Sequence, residues 1–418
     1  MQFNIAAPRR CVNLPPGIIR LLIGSAVRTR VAIGPEIARF QEAFAEWVGA
    51  PYAFGAATGR SSFQLAIESL GIEKGAEVIF PTFTFPVIPM AAKMLGYKPV
   101  FCDVDPDTFN AGPEHIEPKL TEHTGAIVAT HLFGQPCPIR EIVELARGRG
   151  VRVMEDCAHA NGARVAGRMV GTFGDIGIFS FAEGKNMPCF GGGAIVTSDE
   201  EIARRAREIL AGAETPLADP LYKTALSVWG KGVLTHPTLF TLTVYPVLRL
   251  KEFLHQPLMD SVVGDELLAQ YSGERLSVTR MGNLQAATGL LQLKRIAQFN
   301  EGARRNGKLL NELLEGTPGI EIPRVVGEDH IFVYYPIRVA PEKRDDLRAF
   351  LLRRGIDAKK TDMSECSALK TFAPVGETGA KTETHMEDSI LEICVYPMMS
   401  EAQVRRMGRA IQDWARQA

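Results

Sequence analysis

Lys185 stands between Gly184 and Asn186, six residues ahead of Gly191-Gly192-Gly193, with strand-like apolar runs on both sides. A lysine amine attacks a carbonyl only when neutral, so such chemistry needs a site that lowers its pKa by desolvation or nearby cations. A loop between buried strands supplies that environment, and its glycines let a bulky ligand approach the backbone. Taken alone, the pattern reads more simply as a surface lysine in a turn, so other residues must decide. A nucleotide-binding loop is excluded. GxxxxGK[ST] would need glycine at Phe179 and a hydroxyl at Asn186. The alternative Gly302…Gly307-Lys308 is followed by Leu309 in a helical segment, and no GxGxxG follows the first strand.

Asp156 follows VRVM at a strand end, and Ser180 lies five residues before the lysine. The turn ATGRSSFQLAI (56–67) opens a helix, whose N-terminal N–H groups suit a phosphate. Each alone reads as an ordinary strand terminus or N-cap. Together they furnish an amine, a carboxylate able to hold a pyridine nitrogen in its protonated state, and a phosphate cradle. That is the equipment of a pyridoxal phosphate site. The eight histidines lack HxxxH and HExxH spacing, so no metal site is expected.

The elements that must position these groups alternate through the first half of the chain. Strand signals at 76–81, 98–105, 125–134, 151–157, 176–181 and 193–198 are interleaved with helical runs at 86–96, 113–121, 138–149 and 199–212. Short continuous apolar strands between helices predict a mostly parallel, mixed sheet covered on both faces. The strands flanking the glycine loop are the ones expected to depart from parallel order. Ligands of such sheets bind beyond the carboxyl ends of the strands, where Asp156, His131 and Phe85 fall. The second half reads as a long helix from 283, strands at 332–339 and 391–397, and helices at 342–354 and 400–416. The expected organisation is an N-terminal arm (1–34), a large domain (35–275) and a small α+β domain (276–418).

Residues 213–275 are looser, and 234–254 is apolar but interrupted by Pro237 and Pro246, unlike a transmembrane helix. A buried arm, packed on the core or on a partner subunit, is expected there ahead of an interfacial membrane contact. The 418 residues carry 47 basic and 48 acidic side chains, a balance that gives no field for nucleic acid. Seven scattered cysteines without a CxxC pair, and no apolar leader in MQFNIAAPRRCVNLPPG, point to a reducing, cytoplasmic setting.

Four stretches resemble the DegT–StrS group of pyridoxal-phosphate aminotransferases of nucleotide-sugar biosynthesis. They are PTFTF (81–85), HLFGQP (131–136), residues 155–181 with 184–200, and RMGNLQAATGLLQLKRI (280–296). The resemblance implies the aspartate-aminotransferase fold (fold type I) and a homodimer with sites at the subunit interface. It further implies that Lys185 is the Schiff-base lysine and that Asp156 pairs with the ring nitrogen. His159 would lie near the ring hydroxyl, Phe85 and Ala158 on the two ring faces, and Ser180, Gly59 and Arg60 at the phosphate. The implied reaction carries an amino group from L-glutamate to a nucleotide-linked keto-sugar, within surface-polysaccharide or secondary-metabolite synthesis. Two alternatives are a sugar dehydratase, whose relatives carry His at the lysine position, and a non-catalytic cofactor-bound regulator. The chain departs from the group at Thr58-Gly59-Arg60 (for Ser-Gly-Thr), Ile88 (for Thr), Val278 (for an Asn reaching the partner's phosphate), the long segment 197–281, and GIDAKKTDMSE (355–365).

Overall fold

The computed structural model describes residues 5–256, 258, 260–271, 273, 276–327, 330–373 and 386–417. Seven strands form the main sheet: β1 (Tyr52–Ala56), β2 (Glu77–Pro81), β3 (Lys98–Cys102), β4 (Thr124–Thr130), β5 (Arg152–Asp156), β6 (Ile176–Ser180) and β7 (Gly193–Thr197). Their order is β1-β7-β6-β5-β4-β2-β3. The pairings β2–β3, β2–β4, β4–β5 and β5–β6 are parallel. β7 runs antiparallel to β1 and β6, as expected of a strand returned through the glycine loop.

Side chains alternate between the two faces of a strand. Phe179, Ala194 and Val196 therefore pack with Phe40 and Phe44, whereas Ile178 and Ile195 pack with Phe63 and Leu65. Phe40, Phe44 and Val48 recur at helical spacing in Glu36–Val48 and bury one face. Phe44 meets Phe179 and Phe181 edge-on at 5.1 and 5.4 Å.

A second sheet, β8 (Tyr335–Arg338), β9 (Lys359–Lys360) and β10 (Ile390–Ile393), is antiparallel in the order β8-β10-β9. It shares a core with Leu310, Leu347, Ile411 and Trp414. Two short links tie it to the large sheet's side. Ser364–Glu365 pairs with Phe83–Thr84, and Arg9 grips Asp357 through its Nε and Nη2 at 2.8 and 2.7 Å.

Three elements differ from expectation. The helix expected over 113–121 stops at Ile116 and continues as a single 3₁₀ turn, Glu117–Lys119. Pro118 has no N–H to continue an α-helix. The long helix beginning at 283 divides into Asn283–Leu293 and Ile296–Leu314, with Arg295 leaving helical geometry and its guanidinium reaching Leu14 O. The apolar arm is helical, Ala218–Leu234, Pro237–Leu242 and Val244–Phe253, with each proline in the first turn of its helix, where the missing N–H costs least. Within this chain the arm is covered on one side only: Phe240 and Leu248 are buried, whereas Leu242, Leu250 and Phe253 are exposed. No helix among the described residues is long and apolar enough to cross a membrane.

Candidate active site

The carboxyl ends of β4, β5 and β6 and the N-terminus of the helix Gly59–Leu70 surround a cavity of about 340 Å³. Its lining brings together Gly59, Arg60, Phe85, Asp156, Ala158, His159, Ser180 and Lys185, all eight residues singled out from the sequence.

Local chemistry fixes each wall. Thr58 caps the helix, its Oγ accepting from Ser61 N–H at 3.0 Å. Gly59 then lies so close to β6 that a Cβ there would stand 3.0 Å from Ser180 Oγ. Gly191 and Gly192 hold φ of 86° and 95°, left-handed values that favour glycine. Gly193 is required for a different reason, since a Cβ there would strike Ser62 Oγ and come within 2.6 Å of Phe179 O. Gly193→Ala is expected to cost about 1–3 kcal/mol by overpacking and to weaken phosphate binding, as measured by chemical denaturation and by titration with inorganic phosphate.

The lysine loop is anchored on both sides of Lys185. Tyr334 Oη donates to Gly184 O at 2.7 Å. Asn186 exchanges hydrogen bonds with Asn161 at 2.9 and 2.8 Å and donates to Asn300 Oδ1 at 2.8 Å, all of it buried. The glycine-flanked lysine is thus held between two fixed neighbours. Desolvation brings its pKa down to about 8, with Arg10 and Lys359 adding to the fall and Asp156 and Asp362 opposing it.

Asp156 is buried and its Oδ1 accepts from Ala158 N–H at 2.9 Å. Burial raises its pKa, while that hydrogen bond and Lys185 pull it back. Its neighbour Glu155 plays another part. Its carboxylate accepts from the N–H groups of Gly171, Phe173 and Gly174 at 2.6–2.7 Å and meets His131 Nε2 at 3.1 Å. His131, Glu155 and Cys157 come within 4.8 Å of one another. The carboxylate oxygens of that group are already satisfied by backbone donors, so it fastens the 171–174 turn to the strand end.

His159 is buried, and its pKa falls well below the usual value through desolvation and the charges of Lys185 and Lys359. The imidazole is therefore neutral. Its Nδ1 accepts from Phe133 N–H at 3.4 Å, which leaves the proton on Nε2. Phe133 reaches this position with φ of 55°, an uncommon value for phenylalanine. Arg60 lies over the Tyr271 ring at 4.3 Å, so its guanidinium is engaged by the segment between the two sheets' sequences. Val278 packs among core residues with Phe54 and Phe63.

Sequence reasoning missed a second ring of groups. Arg10, Tyr334, Asp362 and Met363 also line the cavity. Arg10 Nη2 meets Asp362 Oδ2 at 3.1 Å, Lys359 Nζ meets the same oxygen at 2.6 Å, and Lys359 also meets Glu392 at 2.9 Å. Lys359 and Arg10 hold the Asp362 carboxyl well below its usual range, against the opposing effect of burial. GIDAKKTDMSE carried these charges in plain view, but only the fold of the small sheet turns them toward Lys185. Arg10 gives no local signal.

An amine of lowered pKa, a buried carboxylate and a helix N-terminus meet at the strand ends, and the chain is a pyridoxal-phosphate-dependent aminotransferase by class. The structure of S. venezuelae DesV in complex with a ketimine intermediate is similar, with TM-score 0.72 and 26% identity over 95% of this chain and 94% of that one. The chain belongs to the DegT/DnrJ/EryC1/StrS aminotransferase family, whose model matches residues 21–225 and 262–412. It is 30% identical over 365 residues to the UDP-N-acetyl-3-dehydro-alpha-D-glucosamine 3-aminotransferase of Acidithiobacillus ferrooxidans, covering 87% of this chain and 84% of that protein. It is also 30% identical over 348 residues to a pleiotropic regulatory protein of Geobacillus stearothermophilus, covering 82% and 79%.

Proposed function

We propose that this enzyme binds pyridoxal 5′-phosphate on Lys185 and transfers an amino group from L-glutamate to a keto carbon of a nucleotide-linked sugar, working as a homodimer. The observation that carries the reading is the enclosure of the Lys185 amine and the Asp156 carboxylate in one cavity. The donor set fits the cofactor. The close approach of Gly59 to Ser180 leaves a cradle at the helix N-terminus that a Cβ would fill, which suits a phosphate. Asp156 suits a pyridinium nitrogen, and Phe85 and Ala158 supply apolar walls for a ring.

When bound, the cofactor supplies an aldehyde carbon that captures amines and a ring that draws electrons from the donor's α-carbon. Lys185 Nζ, with its lowered pKa, is the base that takes the α-carbon proton and returns it. The Asp156 carboxylate holds the proton on the ring nitrogen. His159 would offer its Nε2 proton to the ring hydroxyl, and Tyr334 keeps the Lys185 loop in place through Gly184 O.

The pH dependence follows from the lowered lysine pKa. In apoprotein, capture of the cofactor aldehyde should accelerate with pH, reach half its maximum near pH 8 and level off above it as the amine becomes neutral. A lysine at its ordinary value would keep gaining up to about pH 10.4. Asp156→Asn removes a charge that raises the lysine pKa, so its plateau should begin at lower pH. Stopped-flow absorbance across a pH series checks both expectations.

The similarity to the G. stearothermophilus protein favours a second reading, a cofactor-bound regulator without turnover. Titrating the holoenzyme with L-glutamate separates the two. Conversion of the cofactor's aldehyde absorbance to that of its amine form supports transfer, and an unchanged spectrum supports the regulator. The dehydratase reading is disfavoured because lysine, not histidine, occupies position 185. Light scattering on the purified protein tests the homodimer.

A further inference from the structure

Most of the protein's exposed large apolar side chains fall in two segments, 5–33 and 217–254. The segments meet in space. Ile18 and Leu22 of the helix Ile18–Val27 pack with Leu221, Ala225 and Val228 of Ala218–Leu234. Tyr222 Oη donates to Leu22 O at 3.4 Å. Each helix thus spends one face on the other, yet each keeps a second apolar face. Ile19, Ile23 and Val27 recur at four-residue spacing and are 54–78% exposed. Leu226 and Val233, seven residues apart, are exposed on the second helix, and Leu242, Val247 and Leu250 continue the exposure into the next two.

The charge of these segments is equally one-sided. Residues 1–35 contain five arginines and no carboxylate side chain; Arg9 and Arg10 are paired with Asp357 and Asp362, which leaves Arg20, Arg28 and Arg30 to this surface. Residues 220–251 contain Lys223, Lys231, Arg249 and Lys251 without Asp or Glu, although Lys231 pairs with Glu183 and Arg249 with Glu252 from outside that stretch. The four helices together carry Arg20, Lys223, Lys231, Arg249 and Lys251 against Asp219 and Glu252, and apolar helix faces with such a basic excess match the boundary of an anionic bilayer. A second copy is a poorer occupant, because a two-fold contact would set this basic surface against itself.

We propose that the layer built from helices Ile18–Val27, Ala218–Leu234, Pro237–Leu242 and Val244–Phe253 docks on anionic lipid, with its exposed leucines and isoleucines entering the interface. The family model passes over residues 226–261, so most of this surface is an addition to the shared enzyme. It also touches the site. Lys231 Nζ meets both carboxylate oxygens of Glu183 at 2.9 and 3.0 Å, and Glu183 lines the cavity two residues before Lys185.

Vesicle flotation of the full-length holoenzyme tests the proposal. Vesicles of phosphatidylglycerol and phosphatidylcholine in equal parts should carry up at least about tenfold more protein than phosphatidylcholine alone, and added salt should reduce the difference. The triple variant Ile23→Glu, Leu242→Glu, Leu250→Glu changes only side chains 57–62% exposed and should fold normally while losing the flotation. Arg20→Glu with Lys223→Glu should weaken flotation on the anionic vesicles alone. Wild-type protein that stays with the unfloated fraction would overturn the proposal, as would a triple variant that floats like wild type. A triple variant whose mass by light scattering drops to half, with no flotation of the wild type, would assign the surface to a second copy instead. Amino transfer with soluble substrates is read separately, so the docking surface and the proposed reaction fail independently.

Discussion

Lys185→Ala is expected to lower amino transfer by at least about 10⁴-fold, the largest effect of any single substitution in the molecule. The side chain is asked to do two things, hold the cofactor and move the α-carbon proton, and no other amine near the site can replace it. Lys359 is the nearest candidate by chemistry, but it is held by Asp362 and Glu392 at 2.6 and 2.9 Å, and those carboxylates raise its pKa. It remains protonated at neutral pH and is a poor base. Substitution by alanine also removes a cation from a buried site, so Asp156 loses a partner and its carboxyl should rise further toward protonation. Steady-state transfer with L-glutamate, and retention of cofactor after gel filtration, measure the two losses separately. A variant keeping more than a tenth of wild-type turnover would move the catalytic amine elsewhere.

Asp156→Asn is the second large effect, expected at about 10³-fold in kcat, or about 4 kcal/mol at 1.36 kcal/mol per tenfold. Asparagine preserves the shape and can still accept from Ala158 N–H, so the strand end and the 157–160 turn should survive. What disappears is the negative charge that keeps a proton on the ring nitrogen in a desolvated setting, where charged hydrogen bonds have their greatest effect. The defect should therefore fall on kcat rather than on folding. Thermal unfolding of the apoprotein within a few degrees of wild type, together with the kinetic loss, would separate the two. A mild kinetic defect would assign the carboxylate role to another residue.

The parts of this site that were legible in the sequence are those set by local pattern. Continuous apolar runs such as AEVIFP and GAIVTS could only be buried strands, and Asp156 and Ser180 stand at strand ends where a parallel sheet opens its ligand crevice. The glycine run announced a backbone that must turn left-handed and then pack tightly, and Gly191 to Gly193 do both. Arg10, Tyr334 and Asp362 were not legible because nothing local requires them near Lys185. They arrive through the pairing of Ser364–Glu365 with Phe83–Thr84 and through the grip of Arg9 on Asp357. The resemblance put Arg60 at a phosphate, and the fold adds Tyr271 beneath its guanidinium.

The apolar arm was legible only in part. Interrupting prolines and general hydrophobicity suggested a segment buried against the core or a partner subunit, and within this chain the core covers only one side of it. The four-residue recurrence of Ile19, Ile23 and Val27, and the absence of any carboxylate from 220 to 251, were available in the same letters and describe amphipathic helices. Average hydrophobicity cannot distinguish a helix with two apolar faces from a buried one. Only the observed packing, which uses Leu221, Ala225 and Val228 and leaves Leu226 and Val233 outside, makes the distinction.

The most direct test of the account is reduction of the holoenzyme with borohydride, followed by proteolysis and mass mapping of the pyridoxyl label. The account predicts a single labelled amine, in the peptide containing EGKNMPCF, at Lys185. Label on Lys359 or any other lysine, or no covalent label on protein that binds the cofactor, would contradict it.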